Sequence, residues 1–180
     1  VSVGAGDQSA GVVGAGIVRG GRISVSMGTA GAVTAFLDAP IRDAEGRMMV
    51  TAHPIKGRWL LEGYQAAAAS VYRWFKEQFG AQEARDAEAG GRSYYDIMND
   101  RVSAVPPGSR GLLVLPYVAA AGTPRYNPLA RGTIVGLTFS HTRFDIARAF
   151  MEGITLDMKD MVSAMARSGL RVTEARLLGG

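Results

Sequence analysis

Asp7 and Gln8 are the only strongly polar side chains before Arg19, and they stand in the run VSVGAGDQSAGVVGAG at residues 1–16. A carboxylate isolated among Gly, Ala and Val has two uses. It can cap a helix by accepting a backbone N–H, or it can work on a substrate by taking a proton. The two uses are compatible, because one carboxylate oxygen can face the backbone while the other faces a ligand. On the residues alone the cap is the commoner role. A second candidate is Gly28-Thr29-Ala30-Gly31, which by itself reads as a tight turn. The two histidines, His53 and His141, have no Cys or carboxylate at metal-ligand spacing, so no protein-held metal is expected and both read as loop or surface residues.

These residues need elements to position them. Residues 1–6 read as a short apolar strand, and 8–14 as a small helix with Asp7 as its cap. Ile23, Val25 and Met27 alternate with Ser24 and Ser26. The turn at 28–31 and the apolar run 32–37 complete a hairpin. Trp59, Leu60 and Leu61 suggest a third strand. The helix after it carries Val71, Trp74 and Phe75 at helical spacing and stops at Gly80. Residues 81–93 lack an apolar stripe and read as a solvated helix end and loop. A buried strand at 112–115 leads into an irregular, surface-running connection at 118–132. Ala147, Phe150, Met151, Ile154, Met158, Met161 and Met165 recur at steps of three and four. They predict a long helix capped by Thr142 and stopped at Gly169, its Met stripe serving as core. A last strand covers 172–178. Strands lead and then alternate with helices, which predicts a mixed α/β domain.

At 180 residues the chain suits one domain, able to bury roughly two-thirds of its unfolded surface. A hydrophobic fraction of 47% supports a core, and 24 glycines imply repeated turns and close approaches. The absence of cysteine excludes disulfides and thiolate sites and fits a cytoplasmic setting. The 20 basic and 16 acidic residues are scattered, without the dense basic stripe of a nucleic-acid footprint. The longest uncharged runs are too short to span a membrane. The chain opens without an initiator Met and stops at LLGG (177–180), which predicts a piece of a longer protein.

Several motifs in one order carry a resemblance. GAGDQSAG (4–11), SMGTAG (26–31), RWLLEG (58–63), GLLVLPY (111–117), GTPRYNPLARGTIVGL (122–137), IARAFMEG (146–153) and the terminal LLGG are similar to the ordered motifs of the FGGY carbohydrate kinases. The TP, NP and ARG elements at 123–132 resemble the xylulokinase branch most. The resemblance implies an actin/hexokinase-type fold, two ribonuclease-H-like domains facing across a cleft. This chain would be a partial C-terminal, ATP-binding domain, incomplete at its C-terminal end, with the N-terminal domain outside it. The implied activity of the complete protein is ATP-dependent phosphorylation of a sugar hydroxyl, with a ketopentose such as D-xylulose as acceptor and Mg²⁺ arriving with ATP. Glycerol, ribulose or gluconate are alternative acceptors. A non-catalytic actin-like ATP-binding protein is the alternative of another class. No nucleic acid or membrane partner is expected, and a homodimer is the one macromolecular partner left open.

Residue by residue, the resemblance makes Asp7 the general base and Gln8 a sugar-holding neighbour, reversing the odds for Asp7. Gly28 and Thr29 match the family's phosphate-contacting turn, although Ala30 replaces the Ser more often found there. Gly179 and Gly180 match the start of a glycine-rich adenosine loop. Ala69 and Arg73 fall at positions that contact ATP in the glycerol kinase branch, where Gly and Gln are usual. For Arg73 the alternative is a solvated helix residue.

Overall fold

The computed structural model describes residues 4–43 and 45–179. The alternating segment forms β1 (Arg22–Met27) and β2 (Gly31–Leu37), an antiparallel hairpin that pairs Ser26 with Ala32 and Met27 with Gly31. β3 (Met49–Ala52) and β4 (Trp59–Gln65) extend the hairpin on the β2 side, both in antiparallel pairing. β7 (Glu174–Gly179) lies parallel to β1, so the sheet order is β3-β4-β2-β1-β7. β5 (Leu113–Leu115) and β6 (Thr133–Val135) make a separate antiparallel pair. The mixed α/β expectation is met.

Period-two alternation gives the large sheet two unlike faces. Ile23, Val33, Ala35 and Leu61 point into the main core. They meet Val71 and Phe75 of α2 (Ala69–Phe79) and the methionines of α5 (Arg143–Arg167) there. Met158, Met161 and Met165 are all buried, so the methionine stripe is core as its spacing predicts. On the other face, α1 (Asp7–Gly14) lays Val12 against Phe36 and Leu60, with Ile17 completing a small cluster. The start of α5 is fixed by Asp145, whose Oδ2 accepts both the Thr142 N–H (2.8 Å) and the Thr142 hydroxyl (2.6 Å). Burial acts to raise the Asp145 pKa, but these two bonds and the Arg110 guanidinium hold it below the usual carboxylate range.

Gly153 shows how closely α5 approaches β5: a Cβ there would run into the Val114 carbonyl oxygen. Gly153→Ala should therefore force the helix off the strand and cost about 1–3 kcal/mol. The measurement is the urea-unfolding midpoint of the complete protein, and an unchanged midpoint would show that the contact yields freely.

Several expectations are corrected. Residues 1–3 of the proposed first strand lie outside the described residues, and 4–6 carry no regular structure. Asp7 is the first helical residue rather than the cap; the cap position is Gly6, and no side chain bonds there. Residues 81–93 are mostly helix, α3 (Ala81–Gly90), ended by Gly91 in the left-handed region. It packs without an apolar stripe because Glu83 is buried in an ion pair with Arg143 from α5 and Ala87 fills the remaining contact. α4 (Tyr94–Ser103), left unassigned above, buries Tyr94, Met98 and Val102 at steps of four. The connection 118–132 does not stay on the surface, since Ala121 and Thr123 are buried. His53 is a buried loop residue: its Nδ1 accepts the Ile55 N–H (2.9 Å), so Nε2 carries the proton and donates to the Ile17 carbonyl (3.1 Å). No helix among the described residues is long and apolar enough to cross a membrane.

Candidate active site

The parallel pairing of β1 with β7 brings two chain ends of strands together. Met27, the last residue of β1, pairs with Gly179 at the end of β7, and the 28–31 turn leaves from that point. The crevice at the carboxyl ends of strands is where open α/β sheets bind ligands. Gly179 has φ +117°, and a Cβ on it would collide with the Met27 carbonyl oxygen, so glycine is required for this pairing.

The turn is also tied to the start of α2. Ala69 N–H donates to Gly28 O (2.9 Å), Ala68 N–H to Thr29 O (3.0 Å), and the Ser70 hydroxyl to Thr29 O (2.6 Å). Turn carbonyls thus satisfy the uncapped N–H groups at the helix start, where no side-chain cap exists. Among the described residues, neither the Thr29 nor the Ala30 N–H is given to a protein acceptor. The Gly28 and Thr29 carbonyls face the helix, the Ala30 carbonyl accepts the Gly28 N–H within the turn (3.0 Å), and the Thr29 and Ala30 N–H groups remain available, the polarity an anion cradle needs.

Three depressions surround this turn. One, of about 430 Å³, is lined by Gly28, Thr29, Ala69 and Gly179 together with Leu177 and Leu178. A second, of about 340 Å³, is lined by Thr29, Ala69, Ser70, Tyr72, Arg73 and Tyr95. The third, of about 230 Å³, lies on the α1 side of the sheet and is lined by Gln8, Ala30, Gly31 and residues of β1 to β4. Of the candidate residues, Gly28, Thr29, Ala69, Arg73 and Gly179 therefore gather on one side of the turn and Gln8 on the other. Gly180 lies outside the described residues. Asp7 is exposed and does not line these depressions; its Oδ1 accepts the Gln8 N–H (2.7 Å), which sets it beside the third. A larger apolar groove of about 710 Å³ between α4, α5 and β5 shares no residue with the three.

The electrostatics differ across the turn. Arg73 is exposed and forms no ion pair among the described residues, so a free cation stands on the Gly28 and Gly179 side. Beside it the Tyr72 hydroxyl is buried without a partner, and its pKa is pushed up to about 12, first by burial and then by Tyr95. The Gln8 side has carboxylates and no lining cation. Sequence reasoning missed Ser70, Tyr72 and Tyr95 in the first region and Glu62, Tyr64 and Met49 in the second. Glu62 and Tyr64 did leave a signal, polar groups two apart after the apolar run Trp59-Leu60-Leu61.

Residues 23–180 match the model of the FGGY family of carbohydrate kinases, C-terminal domain. The chain belongs to the FGGY family of carbohydrate kinases. The match begins after Asp7 and Gln8. The chain is 33% identical to the gluconokinase of Bacillus subtilis strain 168 over 163 residues, covering 91% of this chain and 32% of that protein. It is 29% identical to the xylulose kinase of the same strain over 180 residues, 100% of this chain and 34% of that protein. The crystal structure of xylulose kinase from Rhodospirillum rubrum superposes with a TM-score of 0.85 at 28% identity, over 98% of this chain and 34% of that one. The chain thus spans about a third of these relatives' length. Its fold is the actin/hexokinase type of the FGGY kinases, with a mixed sheet flanked by helices.

Proposed function

We propose that the complete polypeptide is an ATP-dependent carbohydrate kinase whose acceptor is a ketopentose such as D-xylulose, and that residues 1–180 form the ATP-binding side of its cleft. The observation that carries this reading is the shared turn: Ala30 and Gly31 line the Gln8 depression, and Gly28 and Thr29, from the same turn, line the Gly28–Gly179 depression. An acceptor on one side and a triphosphate on the other would meet at one backbone turn, as phosphoryl transfer requires.

In this reading Gln8 holds the sugar. Its Nε2 is anchored on the Thr34 hydroxyl (3.2 Å), which fixes the amide over the sheet. Asp7 accepts the proton of the acceptor hydroxyl as that oxygen bonds to the γ-phosphorus and the bond to the ADP oxygen breaks. The N–H groups of Thr29 and Ala30 receive phosphate oxygens, Gly28 leaves room for them, and Ala69 and Arg73 flank the nucleotide. Gly179 begins the surface on which the adenosine lies. Among the described residues no group of three or more His, Asp or Glu could hold a metal ion. Mg²⁺ would therefore be carried by the nucleotide phosphates, and no step is assigned to it. The lack of cysteine and of a membrane-spanning helix among the described residues supports a cytoplasmic setting.

The test is a coupled ADP-release assay on the complete protein with Mg·ATP and D-xylulose, ribulose, glycerol or gluconate. D-xylulose should give the highest kcat/KM. ATP binding without turnover on any of the four would favour a non-catalytic actin-like protein.

A further inference from the structure

The relatives divide between gluconokinases and xylulose kinases, whose acceptors differ in charge. The floor of the Gln8 depression bears on that difference. Register places Ser24 opposite Thr34, and Thr34 opposite Glu62; Ala32 stands between Ser26 and Tyr64. All of these side chains share the α1 face. At one end of that face Val12 of α1 and Ile17, which follows the helix, cover Phe36 and Leu60. At the other end Ser26, Ala32, Glu62 and Tyr64 remain as lining, with Gln8 and Met49 at the margin.

Glu62 is held there. Its Oε1 accepts the Thr51 hydroxyl (2.5 Å) from the neighbouring strand, and among the described residues it makes no ion pair. Its second oxygen is free to accept a hydroxyl. Tyr64 is held through its backbone: its N–H donates to the Thr123 hydroxyl (2.9 Å) and its carbonyl accepts the Thr123 N–H (2.8 Å). Its side chain stays exposed on the wall of the depression. Among the described residues no Lys or Arg lines this space, and Asp7 directly precedes Gln8. The wall therefore offers a fixed carboxylate, an amide and an aromatic ring.

We propose that Glu62 and Tyr64 are specificity-determining residues that select an uncharged polyhydroxy acceptor and reject a sugar acid. Glu62 accepts a hydroxyl of a neutral sugar and repels a carboxylate, while the Tyr64 ring packs on the C–H face of the sugar. Discrimination comes from an unfavourable like-charge contact as much as from the attractive one. This rests on the reading of the Gln8 depression as the acceptor site.

The experiment measures kcat/KM for D-xylulose and D-gluconate, and KM for ATP, in the complete wild-type enzyme and in Glu62→Gln, Glu62→Lys and Tyr64→Ala. Wild type should prefer D-xylulose. Glu62→Gln keeps the acceptor for Thr51 and should shift the ratio toward gluconate by about tenfold, and Glu62→Lys should shift it further. Tyr64→Ala should raise KM for D-xylulose about tenfold, with KM for ATP unchanged in all three. A wild-type enzyme that turns over sugars with a ratio insensitive to Glu62, or that prefers gluconate, overturns this inference and leaves the kinase reading standing. A wild-type enzyme that turns over neither of these, nor ribulose nor glycerol, overturns both.

Discussion

Asp7→Asn in the complete enzyme should lower kcat by about 10²- to 10⁴-fold, the range that general-base assistance contributes, while stability barely moves. The split follows from how Asp7 is placed. It is the first residue of α1, exposed, and among the described residues its side chain accepts one hydrogen bond, from the N–H of its neighbour Gln8. An Asn carbonyl oxygen can accept the same N–H. The loss is then limited to the favourable placement of a negative charge at a helix start, about 0.3–1 kcal/mol. A base is different, because a neutral amide cannot take the hydroxyl proton. Measured side by side, single-turnover rate and thermal midpoint should separate cleanly. A mutant with near-normal kcat would remove Asp7 from the chemistry and leave it as a helix-start residue.

Gly28→Val should weaken ATP binding by about 10- to 100-fold, as expected when charge-assisted bonds to phosphate are lost. From the sequence, Gly28 reads as part of a tight turn. The structure gives a further reason for glycine there. Gly28 is not in the left-handed region, and a Cβ there would meet only the Ala30 oxygen, at 3.7 Å. The turn tolerates a side chain, so the added methyls would fill the depression where phosphate oxygens are placed. The bonds from Ala68 and Ala69 to the turn are made by backbone and should survive. Nucleotide affinity by calorimetry should fall with the unfolding midpoint nearly unchanged. Unaltered affinity would mean that the nucleotide lies elsewhere.

Local signals were legible and long-range ones were not. The hairpin declared itself through Ile23, Val25 and Met27, and the start of α5 through Thr142. α3 stayed hidden because its attachment is an ion pair between Glu83 and Arg143, which no local window contains. His53 looked peripheral because its partner, the Ile17 carbonyl, lies 36 residues away. For the candidate site, motif order proposed Asp7, Gln8 and the glycines. The wall of Glu62 and Tyr64 needed the register of β2 on β4 before its members could be seen as one surface. The meeting of Gly28 with Gly179 likewise depends on a parallel pairing that spans most of the chain.

The hydrogen bonds between the 28–31 turn and the start of α2 run chiefly through the main chain. A cradle made in this way is encoded by path rather than by side-chain identity, so Ala30, which brings no hydroxyl, leaves it intact. The sequence is correspondingly free to drift at 68 and 69 among residues that keep an N–H. Proline is the exception, since at either position it would remove an N–H donor that engages a turn carbonyl. Side chains around this turn can therefore change while its backbone keeps the same polarity.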